Sequence, residues 1–535
     1  MTAHPTEPHA RLGRQEEVIA FLGDPRTHGG QAVERIDTHA ALVFLAGDRA
    51  LKLKRAVRYP YLDYSTVEKR HAACVAELAV NRRTAPSLYR GLLAVRSGAG
   101  GRLTLDPEPV EDVGAAPADG AAAGAAAGEP VDWLVAMARF PADALLDRMA
   151  GRHALTPALM RRLAERIAAF HAEAEPRPDG GGVAAMRAVA DGNLLDLRAA
   201  PDLFPEREVE RLAERTAAAL DRLAPLLEER RRAGLVRHGH GDLHLRNIVL
   251  LDGEPTLFDA IEFDEALAVA DVFYDLAFLL MDLDHRGLRP LGNAVLNRYL
   301  EETADYGGLA ALPLFLSLRA AVRAKVLAAA LRLGGGGGEE GAVAEARRYL
   351  ELALAALDPV PARLVAVGGL SGTGKTRLAE GLAPGLGPAP GAVVLRSDVL
   401  RKRLCGVADT GRLPAEGYAP AMTGRVYDEL YRRAAAVLAA GHAAVADAVS
   451  ARPDERRRLE AVAAAAGVRF DGLWLEAPLA TRVERVTDRR NDASDADAGV
   501  AERQDSYDLG RIGWTRLDSG RVAADVLDDA RGRLS

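Results

Sequence analysis

At 535 residues the chain exceeds what one hydrophobic core can organise, about 250–300 residues, so two domains are expected. Its 49 % apolar and 27 % charged content is ordinary for a globular protein, and a net charge of −7 gives no electrostatic reason to expect nucleic acid as the main partner. Two cysteines cannot build a disulfide framework or a zinc site, the first residues carry no apolar signal segment, and no apolar run reaches the ~18 residues of a membrane span, so a cytoplasmic setting is expected.

In chain order, ALVFLAG and RALKLKRAV alternate like an antiparallel hairpin turning at Gly47 and Asp48. A helix should follow in STVEKRHAACVAELAVNRR, capped by Ser65 with Glu68 three residues on. LLAVRS and RLTLDP continue as strands. The Ala/Gly/Pro segment at 113–130 has no periodic apolar face and reads as a mobile insertion. WLVAMARF resumes as a strand, and helical patterns follow in ALLDRMAGR, PALMRRLAERIAAFHAEAE and the long EREVERL run. IVLL and TLFDA read as a hairpin around DGEP, and helices should return from Ala270 to about Leu333. A pentaglycine loop, Gly334–Gly338, then precedes the last helix of the first domain, AVAEARRYLELALAAL.

From Arg363 onward strands and helices alternate, which predicts a parallel sheet covered on both faces. The expected fold is therefore an α+β two-lobed kinase-like domain over 1–357, a linker at 358–362, and an α/β P-loop domain with a parallel sheet over 363–535.

Chemistry concentrates in two places. In HGDLHLRN, Asp242 sits where a carboxylate can take the proton of an attacking hydroxyl, and Asn247 and Asp259 offer the hard oxygen ligands that Mg2+ requires. Lys52 or Lys54, on one face of a strand, would hold the phosphates of ATP, and Glu77, preferred over Glu68, would orient that lysine. His240 and His244 lack a third metal-ligand partner and read as loop supports.

Lysine usage points the same way. Only six lysines occur among 69 basic residues, and a retained lysine can mark a site where a compact ammonium must meet phosphate oxygens. Lys52, Lys54 and Lys375 fall at such sites; Lys69, Lys325 and Lys402 have no such explanation.

HGDLHLRNIVL, LFDAIEFD and VFYDLAFLL together resemble the aminoglycoside phosphotransferase superfamily, over about Thr38 to Leu283. That resemblance implies Asp242 as base, Asn247 and Asp259 as magnesium ligands, and Asp271 or Asp275 as the brace of the Asp242 loop. The first lobe departs from the kinase pattern, because no G-x-G-x-x-G precedes the lysine strand.

GLSGTGKT is a Walker A loop with a strand before it and a helix after. Backbone N–H groups of Gly369, Ser371, Gly372, Thr373 and Gly374 would cradle phosphates, Lys375 would reach the outer ones, and Thr376 would hold Mg2+. Asp398, a catalytic candidate, lies past a strand's C-terminal edge, where ligands of open α/β sheets bind, and Asp447 ends another strand as a metal-side carboxylate. Arg485, Arg489 and Arg490 precede a polar segment as charge-stabilising arginines would. The set resembles small P-loop kinases, and the whole chain resembles bacterial fusions of an aminoglycoside phosphotransferase with an ATP-binding protein.

The leading expectation is an ATP-dependent kinase with two transfer sites acting on small hydroxyl-bearing molecules. The alternatives are a single catalytic P-loop domain regulated by a kinase-like adaptor, and an ATPase that remodels a protein partner.

Overall fold

The computed structural model describes residues 8–38, 40–59, 62–110, 128–332, 339–488 and 493–535. The chain divides into two compact units. One comprises Met1–Leu155, Ala169–Ala185 and Glu229–Asp275; the other comprises Thr156–Ala168, Met186–Glu228 and Leu276–Ser535.

The first unit is built on an antiparallel six-stranded sheet, in the order Val33–Asp37, Ala41–Ala46, Arg49–Lys54, Glu129–Ala138, Tyr89–Ser97, Leu103–Leu105. The expected hairpin is present: Ala46 pairs with Arg49 across a two-residue turn in which Gly47 takes a positive φ of 58°. Strand alternation divides Arg49–Lys54 between two environments. Leu51 and Leu53 join Phe44, Leu93 and Leu134 in one core, while Ala50 joins Cys74 and Leu78 of helix Val67–Arg82 in another. Lys52 and Lys54 therefore share the face that carries this helix.

That helix is capped by Thr66, one residue later than expected, whose hydroxyl accepts from Lys69 N–H. Ser65 is drawn off by Asp63, to whose carboxylate both its N–H and its hydroxyl donate. Of the anticipated insertion, residues 113–127 lie outside the described residues, and Glu129 and Pro130 already belong to a strand. Ala270 does not open the helical run. It lies in a short strand, Val269–Asp271, paired with Val236–His238, and the helix starts at Val272. Helices Pro8–Gly23 and Gly182–Arg198 were not expected, their apolar stripes being diluted by alanine, glycine and polar residues.

The second unit contains the predicted parallel sheet, five strands in the order Val393–Arg396, Ala444–Asp447, Arg363–Gly369, Arg469–Glu476, Thr515–Asp518. Near-continuous apolar runs suit strands buried on both faces, and Val365, Val367, Val394, Val445, Leu473 and Leu475 pack with Leu378 and Leu382 of the following helix. The final strand and the helix Ala523–Leu534 go beyond the expected elements.

The outer edge of this sheet is covered by helix Arg289–Thr303. Asn297 Oδ1 accepts from Val394 N–H at 2.6 Å, and the amide groups of Asn293 and Asn297 donate to Ala392 O at 3.0 and 3.3 Å. Arg298, on the same helix, pairs with Glu165, Glu301, Glu302 and Asp409. Residues 276–357, which the sequence reading assigns to the first domain, thus cluster with the P-loop sheet. The pentaglycine segment lies outside the described residues.

Candidate active sites

The first site grows out of the loop after strand Val236–His238. Gly239 lies so close to the Asp275 carboxylate that an added Cβ would come within 2.6 Å of Oδ2, and Gly241 takes a φ of +80°. These two glycines let the loop wrap the carboxylate, which accepts from His240 N–H at 2.7 Å and Gly241 N–H at 3.0 Å, with His171 Nε2 3.3 Å away. Of the two candidate braces, Asp275 is the one that touches the loop. Asp271 instead accepts a two-pronged bond from Arg230 and caps Phe273 N–H.

His240 is buried, and burial pushes its imidazole pKa down, so it is neutral. Its Nε2 is 3.0 Å from Phe258 O, and its own carbonyl accepts from Ile261 N–H. The Asp242 loop and the segment around Asp259 are thereby fastened to each other. Asp242 Oδ2 accepts from Asn247 Nδ2 at 2.8 Å. His244 Nδ1 accepts from Arg246 N–H, which puts the ring proton on Nε2, 3.4 Å from Asp242 Oδ2.

Asp259 adopts a φ of +59°, a conformation that costs a non-glycine residue roughly 1–3 kcal/mol and persists only where neighbours hold it. Tyr89 Oη accepts from its N–H, and Asn81 Oδ1 accepts from the next N–H, Ala260. Its carboxylate meets Lys52 Nζ at 2.6 Å, and Lys52 meets Glu77 Oε1 at 2.8 Å. Lys54 Nζ meets Glu77 Oε2 at 2.5 Å and also pairs with Glu262, to which Tyr64 donates its hydroxyl. Burial alone would raise the Glu77 carboxyl, but the two ammonium groups outweigh it and hold the pKa at about 2. Both candidate lysines therefore engage Glu77, and Lys52 is the one joined to Asp259.

The second site follows strand Arg363–Gly369. Gly372, at φ +85°, sits where a Cβ would lie 2.5 Å from Arg482 O, and Gly374, at φ +87°, precedes helix Lys375–Leu382. Ser371 N–H donates to Gln504 Oε1 at 2.7 Å, and Thr373 Oγ1 donates to Leu370 O. Lys375 Nζ donates to the same carbonyl at 3.1 Å. Thr376 donates to Asp447 Oδ2 at 2.6 Å. Burial pushes the Asp447 carboxyl up, against the pull of Arg396 and Lys375, and the charge of Asp398 adds to the rise. Asp398 stands in the first turn of helix Ser397–Leu404.

Arg485 donates to Ser519 O. Of the arginines of helix Leu479–Thr487, the one lying against the P-loop is the buried Arg482, which pairs with Asp505. Arg489 and Arg490 lie outside the described residues. Among the described residues no group of three or more His, Cys, Asp or Glu could hold a metal, and no helix is long and apolar enough to cross a membrane.

One family model matches across the Asp242 loop and another across the P-loop. The sequence model described as "Phosphotransferase enzyme family" matches residues 115–312, and the one described as "AAA domain" matches 364–507. Proteins Rv2004c of Mycobacterium tuberculosis (strain ATCC 25618 / H37Rv) and Mb2027c of Mycobacterium bovis are 32 % identical over 492 residues, covering 89 % of this chain and 90 % of theirs. The chain belongs to their family. It is an ATP-dependent phosphotransferase that fuses an aminoglycoside-phosphotransferase-like domain to a P-loop ATP-binding domain. Among solved structures, a choline/ethanolamine kinase family protein from Mesorhizobium loti is 15 % identical, covering 64 % of this chain and 99 % of that one with a TM-score of 0.36. A gluconokinase from Sinorhizobium meliloti 1021 is 20 % identical, covering 32 % and 93 % with a TM-score of 0.24. Neither likeness bears on substrate.

Several site residues of this family member had no sequence signal. Gln504, Arg482, Asn81 and Glu262 reach their sites across long separations, and no local spacing marks them. Tyr89 could have been suspected only as a lone polar-tipped aromatic within an apolar strand.

Proposed function

We propose that the protein carries two separate phosphoryl-transfer sites, each using Mg2+ and ATP and each serving a small molecule with a free hydroxyl. The observation that carries the first is Lys52 bridging Glu77 and Asp259 beside the Asp242–Asn247 pair. In that site Asp242 takes the acceptor's proton, Lys52 holds phosphate oxygens with Glu77 orienting it, and Asn247 and Asp259 hold Mg2+. Two protein oxygens suit an ion that keeps water and phosphate as its remaining ligands. Bound Mg2+ supplies charge neutralisation at the phosphates.

In the second site the N–H groups of Gly372 and Gly374 bind phosphate, joined by those of Ser371 and Thr373 once they leave Gln504 and Leu370, while Gly369 N–H stays paired with Val449 O; Lys375 reaches the outer oxygens, and Thr376 and Asp447 hold Mg2+. The donor set fits: the loop glycines have positive φ, and a hydroxyl and a carboxylate already meet at 2.6 Å. Asp398 serves as base, with Arg489 as a charge-stabilising group and Arg485 joining it only on leaving Ser519 O. The boundary between the two inherited parts is taken at 358–362, between the two family matches. A reducing, cytoplasmic setting suits the free thiols of Cys74 and Cys405.

A second reading, one active P-loop domain with a kinase-like adaptor, is favoured by the turn before Ala41. No glycine-rich loop is present there, and Thr38 is bonded to Ala41 through both its hydroxyl and its N–H. Calorimetric titration separates the two. Wild type should bind about two Mg-ATP, one lost in Lys375→Ala and the other in Asp259→Ala. A single site abolished by Lys375→Ala and untouched by Asp259→Ala means an adaptor.

A further inference from the structure

Strand Arg49–Lys54 presents two ammonium groups to one buried carboxylate, and the two halves of the resulting array differ in exposure. Lys52 is 15 % exposed and its partner Asp259 42 %, whereas Lys54 is 3 % exposed and its partner Glu262 7 %. Glu77, fully buried, lies between them, one oxygen to each lysine. We propose that Lys54 is a positioning residue of the first site, fixing Glu77 and the Asp259–Glu262 segment in place so that Lys52 and Asp259 are free to exchange partners. The inference rests on the phosphotransfer reading of that site.

A lysine that takes a phosphate and an aspartate that takes a metal must release one another. Were the Lys52–Asp259 contact the only charged tie between the lysine strand and the metal-side segment, that release would loosen the segment just when it must be rigid. The Lys54–Glu262 pair is a second tie, three residues further along the same segment, closed off from solvent and braced by the Tyr64 hydroxyl at 2.9 Å from Glu262 Oε1. It also keeps Glu77 beside a cation once Lys52 turns toward phosphate. The positive φ of Asp259 makes the demand sharper, because a strained residue holds its geometry only where its surroundings over-determine it. Asn81 and Tyr89 fasten the segment's backbone, and Lys54 fastens its side-chain end.

The test uses the full chain with Lys375→Ala, so that only the first site binds. Mg2+ is titrated at fixed ATP and binding is followed by calorimetry. If this parent binds no Mg-ATP, or binds it undiminished with Asp259→Ala added, the reading of the site falls and this proposal with it. In a parent that binds, K54M is compared with K54M/E262Q, which replaces both buried charges and leaves neither orphaned if the single variant fails to fold. The half-saturating Mg2+ concentration should rise about tenfold or more in the double variant, the usual scale for losing a residue that orients a metal ligand. Restoring the ammonium in E262Q alone should recover part of that loss, because Lys54 still holds Glu77. An unchanged Mg2+ dependence in K54M/E262Q, or a double variant that does not fold, overturns the proposal and leaves Lys54 a structural ion pair.

Discussion

Thr376 donates its hydroxyl to Asp447 at 2.6 Å, joining the first turn of the P-loop helix to the end of a strand directly beside the P-loop strand. The carboxyl it meets is buried and its pKa is raised by that burial. Asp447→Asn should therefore leave stability unchanged or raise it by about 0.5–1 kcal/mol, because an amide is cheaper to bury than a carboxylate. Turnover at the second site should fall by about two orders of magnitude, the scale of losing one electrostatic stabiliser. Thermal melting and ATP hydrolysis assays in a chain also carrying Asp259→Ala check both.

Asp275 and Asp271 should part company on mutation. Asp275→Asn offers an amide N–H where the Asp242 loop presents its own donors, and first-site transfer should fall by at least about tenfold, about 1.4 kcal/mol of barrier. Asp271→Asn removes the charge opposing the buried Arg230 and should cost about 3 kcal/mol of stability with little change in turnover of the folded fraction. Urea denaturation and kinetics on both variants decide; equal effects on transfer would assign the brace wrongly.

His442 sets an acid limb on stability. It is buried, neither ring nitrogen has a well-formed hydrogen bond, and burial pushes its pKa down from 6.5 to about 4 against a weak pull from the Ala443 backbone. Between those values the unfolded chain takes up a proton that the folded chain refuses, so stability falls as pH drops, by about 2 kcal/mol at pH 5. His442→Leu should flatten that limb and stabilise the protein at neutral pH by about 1 kcal/mol. Melting curves from pH 7.5 to 4.5 test it.

Asn297→Leu should cost about 2 kcal/mol, since Val394 N–H would lose a 2.6 Å acceptor inside a packed contact. Asn297→Asp, which keeps the acceptor but sets a carboxylate oxygen against the oxygens of Ala392 and Asn293, should cost at least as much. Denaturant unfolding of the two variants ranks them.

Much of this was legible from local pattern. The Walker A loop announces itself because the glycines, lysine and threonine are contiguous and strand and helix flank them. The Asp242, Asn247 and Asp259 group is readable because loop and hairpin fix its spacing. What escaped are residues whose role depends on another segment's arrival. Gln504 meets Ser371 across 133 residues, and Glu262 meets Lys54 across 208. Lys402, unexplained in the sequence, proves fully buried, its ammonium donating to Asp409 O beside Asp495. Ser65 illustrates a subtler limit: it was a good cap by type, but Asp63 competed for it and Thr66 took its place. Lys52 and Lys54 were equivalent in the sequence, because the strand offers both on one face; their partners, Asp259 for one and Glu262 for the other, appear only in three dimensions.

The amide cover on strand Val393–Arg396 has a practical consequence for anyone cloning the ATP-binding half by itself. A truncation beginning in the 358–362 segment discards Asn293 and Asn297 and strips an apolar β-edge of its lining. Bare edges of that kind recruit other chains, so such a fragment should emerge from expression as aggregate or swapped oligomer. Loss of activity in it would then report the missing lining and not a missing regulator. A truncation begun upstream of Leu288 retains the lining, and only fragments of that sort can be asked what the ATP-binding half does when separated from the Asp242 site.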